Sequence, residues 1–362
     1  MISPIIPTQT THVFYLKDSR KMKVLKDLSV NLILTSPPYP MVQMWDDLFK
    51  QWDVKIKKLL SESKASEAFE RMHLQLDAVW KESFRVLKEG GILVINIGDA
   101  TRSFKQEFQL FSNHSRILQS CLKLGFTCLP DILWRKQTNS PTKFMGSGMF
   151  PVGAYVTYEH EYILIFRKGS KRIFSKTELE LRRESAFFWE ERNKWFSDIW
   201  EIKGEKQIMK GVGATTRNRT AAFPLEFAYR LVNMLSIKGD LVLDPFVGTG
   251  TTSLAAILAA RNSIGFDVDS GVLEIGKLRI EDSIKISAEI LSRRWREHAD
   301  FISRRFQEGK NAIHINENYN VGVVTAQERN FKWESVHSVH RKSHLSYTVN
   351  HVPFEPQKAK NC

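Results

Sequence analysis

The chain has few cysteines and no long apolar run. Its three cysteines, Cys121, Cys128 and Cys362, show no C-x-x-C spacing and predict neither a disulfide framework nor a zinc site. No apolar run approaches the length that crosses a bilayer, and the first residues, MISPIIPTQTTH, lack the charged start and apolar core of a signal peptide. We therefore expect a cytoplasmic protein whose 362 residues can bury a full core.

A glycine loop between two apolar runs is the strongest pattern in the chain. Residues 240–269, DLVLDPFVGTGTTSLAAILAARNSIGFDVD, read as strand, loop, helix and strand. The loop lacks the G-K-S or G-K-T of a P-loop and the third glycine of the dinucleotide pattern G-x-G-x-x-G. Asp267, 17 residues beyond Gly250, stands where a carboxylate accepts both hydroxyls of a ribose. S-adenosylmethionine is therefore the best candidate ligand.

Strands and helices alternate along most of the chain. Apolar runs predict strands at residues 12–16, 30–34 and 92–97, and a further pair at 126–136 and 158–169 that can be antiparallel. Helical spacing of apolar residues predicts helices from Phe69, over Arg116–Gly125, and from Leu225 after Pro224. We expect an α/β fold with a mostly parallel sheet.

The stretch LTSPPYP, residues 34–40, leaves one of these strands through a doubled proline. Pro37 and Pro38 restrict the backbone and so fix the positions of the Ser36 hydroxyl and the Tyr39 ring. Loops at the carboxyl ends of strands are where open α/β sheets bind ligands. The loop is therefore either a plain turn or part of a binding site.

Basic residues outnumber acidic ones by 53 to 40, which gives a formal charge of +13 and an isoelectric point near 9.5. This excess favours a polyanionic partner, nucleic acid first. Between Arg167 and Arg219 there are 14 Lys and Arg against 8 Asp and Glu, interleaved with aromatic residues. We expect the aromatic residues to form a small local core and the basic ones to contact phosphates.

The proline loop and the glycine loop together resemble the two motifs of the DNA amino-methyltransferases. That family methylates the exocyclic N4 of cytosine or N6 of adenine, and its motifs match Ser36-Pro37-Pro38-Tyr39 and Phe246-Val247-Gly248-Thr249-Gly250. The first motif precedes the second by about two hundred residues, which is the order of the circularly permuted beta group. The resemblance covers roughly residues 10–280. It implies a Rossmann-like fold with a seven-stranded, mostly parallel sheet, helices on both faces and an inserted DNA-recognition region.

The resemblance also implies a role for each motif. Ser36 and the Pro37 carbonyl would accept hydrogen bonds from the target amine, with Pro38 keeping the loop rigid, and Tyr39 would stack on a base flipped out of double-stranded DNA. The implied S-adenosylmethionine site takes in Asp18, Thr35, Phe223, Asp244, Pro245, Phe246, Gly248, Gly250, Thr251 and Asp267. Asp18, expected near the adenine amino group, also fits a Lys-Asp-Ser turn, and Phe223 also fits the core. No metal is implied.

The resemblance divides the chain into four parts. Residues 1–168 would carry catalysis, 169–219 target recognition, 220–285 the cofactor, and 286–362 a C-terminal extension. Arg217 and Arg219, in a Gly-rich polar stretch, are the first choice for DNA contacts. In the extension we expect an amphipathic helix with Leu291, Trp295, Ile302 and Phe306 on one face and Arg293, Arg294, Arg304 and Arg305 on the other, either along DNA or capping the sheet. The polar residues after Glu308 are expected to be poorly ordered.

Several related activities have to be considered for this sequence. Methylation at cytosine C5 needs a cysteine after a proline, and the three cysteines follow Ser120, Thr127 and Asn361, so this chemistry is excluded. Serine in the first motif position is typical of N4-cytosine enzymes, but some serine members methylate adenine, so N6-adenine stays as the alternative. A protein-glutamine methyltransferase and an inactive DNA-binding subunit are more distant ones. A restriction endonuclease with the same target sequence is a possible partner.

Overall fold

The computed structural model describes residues 8–105, 107–136, 145–204 and 223–356. Within these ranges the strands are β1 (Thr8–Leu16), β2 (Val30–Thr35), β3 (Leu87–Ile97), β4 (Ala100–Phe104), β5 (Glu107–Phe111), β6 (Phe126–Arg135), β7 (Met145–Gly146), β8 (Ala154–Tyr155), β9 (His160–Lys168), β10 (Ile199–Trp200), β11 (Leu241–Asp244), β12 (Asn262–Asp267), β13 (His314–Asn316), β14 (Val321–Val323), β15 (Glu334–Ser343) and β16 (Ser346–Pro353). The α-helices are α1 (Asp46–Trp52), α2 (Val54–Ser61), α3 (Ala65–Val86), α4 (Asn113–Lys123), α5 (Lys176–Glu184), α6 (Trp189–Trp195), α7 (Leu225–Leu235), α8 (Thr251–Leu258), α9 (Ser270–Glu281) and α10 (Ser283–Gln307). None of these helices is long and apolar enough to cross a membrane.

One large sheet organises the molecule, with the strand order β10-β6-β9-β3-β2-β11-β12-β1-β16-β15. The central strands β3, β2, β11, β12 and β1 run parallel, and β9 and β16 run antiparallel to their inner neighbours. The N-terminal strand lies beside β12, although 251 positions separate the paired residues His12 and Ser263. The mostly parallel α/β sheet is therefore confirmed. Among the described residues the sheet has ten strands instead of the expected seven, because β10 extends one side and β15 and β16 the other.

Helices cover both faces of the sheet. α7 and α8 pack on one face, where Phe227 and Leu254 are buried. α3 and α4 pack on the other, around Trp80 and Ile117. Every residue of α8 is buried because that helix lies between the sheet and α7. The apolar spacing of these helices follows from the face that each turns to the sheet.

The carboxyl ends of the parallel strands define one edge of the sheet, which we call the carboxyl edge. β2 ends there at Thr35, β11 at Asp244 and β12 at Asp267. The proline loop and the glycine loop follow two of these neighbouring strands directly. Two segments about two hundred residues apart in sequence therefore meet in space.

The first described residues of the expected recognition region lie at the opposite edge, which we call the amino edge. β9 ends there, and Arg172 then bonds Asp240, directly before β11, at 2.7 Å. The guanidinium groups of Arg172 and Arg182 contact Phe174, with their Cζ atoms 4.8 and 4.7 Å from its ring centroid. A strand's length, roughly 15 to 20 Å, separates these basic residues from the carboxyl edge. They are not placed to contact a base held there.

The long helix α10 differs from the amphipathic helix that we expected. Arg294 is buried, donating to both Glu191 oxygens at 2.5 and 2.7 Å and to the Tyr229 hydroxyl at 2.8 Å. Phe306, expected on the inner face, is 73% exposed. Both placements were wrong. Arg294 can be buried because a carboxylate and a phenol offset the desolvation of its guanidinium.

The residues after Glu308 are folded where the structure describes them. β15 and β16 form a hairpin beside β1, and β13 and β14 form another. Phe331 and Trp333 pack with Phe188 of the expected aromatic cluster in a small third core. The expectation of poor order was wrong for residues 309–356, because β16 buries Tyr347 and Val349 despite its polar neighbours.

Candidate active site

A cleft opens at the carboxyl edge between the two motif loops. Its empty volume is about 1050 Å³, part of it continuous with solvent. Twelve of the fourteen residues assigned from sequence to the catalytic and cofactor motifs line it: Asp18, Ser36, Pro37, Pro38, Tyr39, Phe223, Asp244, Pro245, Phe246, Gly248, Thr251 and Asp267. The other two, Thr35 and Gly250, lie beneath the surface of the cleft. Arg217 and Arg219 fall outside the described residues, and their DNA contacts stay a prediction.

The glycine loop forms the base of the cleft between β11 and α8. Gly248 and Gly250 have φ angles of +50° and +78°, which strain any residue with a side chain. The Gly248 N–H donates to Asp267 Oδ2 at 3.0 Å. A Cβ at Gly248 would come no nearer than 4.0 Å to the backbone oxygen of Phe246. The loop therefore leaves room for a ligand close to its backbone.

Asp244 is a buried carboxylate held by the loop itself. Its Oδ1 accepts from the Thr35 hydroxyl at 2.6 Å and from the Phe246 N–H at 3.0 Å. Its Oδ2 accepts from the Thr252 hydroxyl at 2.7 Å. Burial raises the pKa of Asp244 to about 6, although these hydrogen bonds oppose the shift, and the nearby Asp267 adds to it. Thr35 thus supports the site through Asp244 and does not line the cleft.

Two further carboxylates border the cleft, and their pKa values are shifted in opposite directions. Burial raises the pKa of Asp267, against hydrogen bonds from the N–H groups of Asp269 and Gly248. Burial would also raise the pKa of Asp18, but hydrogen bonds from the Arg20 side chain and backbone lower it overall. Asp18 also caps the short helical turn Ser19–Lys21, so the turn reading holds. Its contact with the donor adenine stays a prediction.

A chain of hydrogen bonds connects the proline loop to β9. The Ser36 hydroxyl donates to the Tyr39 hydroxyl at 3.1 Å, and Tyr39 in turn donates to Glu161 Oε2 at 2.9 Å. Asn96 donates to the Tyr39 oxygen at 2.9 Å and to the same Glu161 oxygen at 2.6 Å. Lys136 donates to the other oxygen of Glu161. The Ser36 hydrogen is therefore engaged by Tyr39. The lone pairs of the Ser36 oxygen are left to accept hydrogen bonds.

Sequence reasoning missed Glu161, Asn96 and Lys136. A signal was present, because Asn96 interrupts the apolar run ILVINI and Glu161 precedes the apolar run YILIF. Buried polar residues in such strands need partners. The antiparallel register of β3 and β9, which pairs Asn96 with Ile163, brings the Asn96 and Glu161 side chains to one face.

The proline loop is held in place by packing as well. Pro37 and Pro38 are buried, and the Asn113 side chain donates to the backbone oxygens of Pro40 and Gly98 at 3.1 and 3.0 Å. A Cβ at Gly98 would lie 3.1 Å from the Tyr39 ring, so a glycine allows the ring its position. Burial, and then the charge of Glu161, raise the pKa of Tyr39 well above its ordinary value. The phenol therefore stays protonated and serves as a donor.

The residues of the cleft fit S-adenosylmethionine. The space beside Gly248 admits a ligand, the Asp267 carboxylate borders that space and would accept hydrogen bonds from ribose hydroxyls, and Phe223 would supply an apolar wall. The negative charge of the ionised carboxylates suits a sulfonium cation. The fold and this cleft define an S-adenosylmethionine-dependent methyltransferase.

Comparisons with known proteins give the family. Residues 30–278 match the N6/N4 DNA methylase family, and the chain belongs to it. It is 50% identical over 327 residues to the Type II methyltransferase M.MthZI of Methanothermobacter thermautotrophicus, covering 90% of each chain. It is 47% identical over 310 residues to M.MjaI of Methanocaldococcus jannaschii, covering 83% of this chain and 99% of that one. A solved structure of TTHA0409, a putative DNA modification methylase from Thermus thermophilus complexed with S-adenosyl-L-methionine, is 33% identical with a TM-score of 0.57, covering 75% of this chain and 94% of that one.

Asp267→Ala is expected to weaken donor binding by roughly 1 to 3 kcal/mol, because it removes charged hydrogen-bond acceptors. Calorimetric titration with S-adenosylmethionine measures the change. DNA affinity without donor should be unaltered, since Asp267 belongs to the glycine-loop side of the cleft. Donor binding equal to that of the wild type would contradict the assignment of the ribose site.

Donor affinity is expected to depend on pH through Asp244. A cationic donor favours the ionised carboxylate, and the pKa of Asp244 is about 6 in the folded protein. Affinity should therefore be highest above pH 6 and fall as the pH drops through about 6. In Asp244→Asn this dependence should flatten, with weak binding at pH 8 already. Titrations at several pH values test this, and an unaltered pH profile in the variant would exclude Asp244 as its source.

Proposed function

We propose that the protein transfers the methyl group of S-adenosylmethionine to the exocyclic N4 of cytosine at a specific sequence in duplex DNA. The observation that carries the proposal is the Ser36 hydroxyl, which borders the same cleft as Gly248 and Asp267 and whose hydrogen is directed to Tyr39. Serine in this motif position is typical of the N4-cytosine enzymes that the chain resembles. The N6 of adenine presents similar donors and is the alternative tested below.

The exocyclic amine of a nucleobase is a poor nucleophile because its lone pair is delocalised into the ring. Acceptors aimed at its N–H groups favour the pyramidal form that attacks a methyl group. We assign this task to the Ser36 oxygen and the Pro37 carbonyl, with the Tyr39 ring stacked on the base. Bound S-adenosylmethionine supplies an electrophilic methyl group on sulfur. The remaining contribution of the chain is alignment of the amine with that group.

The hydrogen-bond chain also offers a route for the departing proton. After transfer the amine nitrogen carries four bonds and a positive charge, and one N–H proton must leave. It can pass to the Ser36 oxygen while the Ser36 hydrogen moves to Tyr39 and the Tyr39 hydrogen moves to Glu161. Each hydroxyl oxygen in the chain gains one hydrogen and loses one, and Glu161 ends protonated. Charge and atoms balance without any further group.

The biological setting is proposed from the relatives. M.MthZI and M.MjaI are named Type II methyltransferases, which supports a modification enzyme of a restriction–modification system. A cognate endonuclease would share the target sequence and need not bind this chain. The excess of basic residues suits a protein that works on DNA in the cytoplasm.

Nucleoside analysis of methylated DNA tests the proposal. Mixed-sequence duplex DNA is incubated with the protein and S-adenosylmethionine, digested to nucleosides and analysed by mass spectrometry, and DNA from an expressing host is sequenced for the site. We expect N4-methylcytosine at one sequence. N6-methyladenine would contradict the choice of base. Donor binding without any methylated product would indicate a DNA-binding subunit that has lost catalysis.

A further inference from the structure

A turn at the carboxyl edge exposes much apolar surface. Met149, Phe150, Val152 and Val156 are 83%, 76%, 99% and 86% exposed, and all four fall within residues 149–156. Single exposed apolar side chains are ordinary on protein surfaces. A cluster of this density is typical of a surface that contacts a partner.

Internal hydrogen bonds and one ring contact order this turn. The Ser147 N–H donates to the Gly153 oxygen at 3.0 Å, and the Ser147 hydroxyl donates to the Phe150 oxygen at 2.5 Å. The two ends pair as β7 and β8. Tyr155 stacks on Phe108 of β5, with ring centroids 4.5 Å apart. The apolar tip is therefore presented on a closed, anchored hairpin.

The hairpin lies on the side of the proline loop away from the donor site. It connects β6 to β9, and the neighbouring ends of these strands are joined through Lys136 and Glu161, the residue that also bonds Tyr39. In the sheet, β2 with the proline loop stands between β11 with the glycine loop and the strands β3, β9 and β6. A base held at Tyr39 would therefore have the donor on one side and this hairpin on the other.

We propose that the turn 147–153, led by Phe150, inserts into the base stack of duplex DNA at the place that the target base leaves. The inference rests on the proposed function. A flipped base leaves a gap in the stack, and compact apolar groups such as Phe, Met and Pro are the side chains that enter between base steps. A duplex that presents a base to Tyr39 must lie along the carboxyl edge, where this turn is exposed. Stacked bases are the apolar surface that such a duplex offers.

Phe150→Ala, alone and with Val152→Ala, tests the proposal. Single-turnover methyl transfer is measured on a fully paired duplex and on one with an abasic site opposite the target, where flipping costs less. On the paired duplex we expect a loss of about 10-fold or more, and on the abasic duplex a loss below about 2-fold. Phe150→Trp, which keeps a large apolar ring, should retain most of the rate.

Ile173→Ala provides the matched control, because Ile173 is 92% exposed but follows Arg172 at the amino edge. It should leave both rates unaltered. Wild-type rates for Phe150→Ala on the paired duplex, or an equal loss on both duplexes, would overturn the proposal that the turn inserts into DNA. Methyl transfer by the wild type would still support the proposed function. No transfer by the wild type on either duplex would instead contradict the proposed function. A fluorescent 2-aminopurine at the target position reports flipping directly, and its signal should fall in Phe150→Ala.

Discussion

Ser36→Ala is expected to slow methyl transfer by about 100- to 1000-fold, the range for removing one preorganised hydrogen-bonding group from a reacting centre. In the proposed reaction the Ser36 oxygen accepts a hydrogen bond from the target amine, because its own hydrogen is engaged by Tyr39. Alanine keeps Pro37, Pro38 and the Tyr39 ring in place. Single-turnover transfer with saturating donor and DNA measures the effect, which belongs to the chemical step.

The affinities for the donor and for DNA provide the control for this result. Donor and DNA affinities of Ser36→Ala should stay within about 2-fold of the wild type, because one half-buried hydroxyl contributes little to either. Ser36→Thr, which keeps the hydroxyl, should recover part of the rate. A Ser36→Ala enzyme with undiminished transfer would mean that the Pro37 carbonyl alone holds the amine, and the role of Ser36 would have to be abandoned.

The central fold could be predicted because buried parallel strands are continuous apolar runs with clear ends. VNLIL stops at the proline loop and LVLD at the glycine loop, and each loop contains the residue types that restrict or free the backbone. The pairing of β1 with β12 could not be predicted from either strand. No local pattern in HVFYL or IGFD indicates that the two strands are neighbours.

The parts that could not be predicted depend on tertiary contacts. Arg294 reads as a surface residue of an amphipathic helix until Glu191 and Tyr229 are placed around it. The hairpin of β15 and β16 has a polar composition, yet β16 pairs with the open edge of β1. In both places a long-range partner outweighs the local pattern.

The position of the basic segment after Arg167 could not be predicted from its charge. The phosphate contacts expected from its excess of Lys and Arg stay a prediction, and the structure places Arg172 and Arg182 at the amino edge, beside Phe174. Net charge indicates which class of partner a protein binds, but not which face of the protein contacts that partner. The strand direction of β9, which sequence alone left open, decides on which edge these residues fall.

Glu161→Gln is expected to slow methyl transfer by about 100-fold, the lower end of the range for a positioned proton acceptor. The single side-chain oxygen of glutamine can still accept from Tyr39, so the proline loop should keep its shape. The oxygen that accepts from Lys136 is replaced by an NH2 group, and the negative charge that would draw hydrogen from Tyr39 and Ser36 is lost. As a positioning residue that acts through Tyr39, Glu161 should affect kcat while KM for DNA and the donor dissociation constant stay near wild type.

Tyr39→Phe, which keeps the ring and breaks the hydrogen-bond chain, should cause a loss of similar size. The double variant should be no slower than the slower single variant, because both changes interrupt one route. The four enzymes are compared in a double-mutant cycle of single-turnover rates. Additive losses would show that Glu161 and Tyr39 act independently, and the hydrogen-bond chain would then be a structural feature of β3 and β9 with no part in proton transfer.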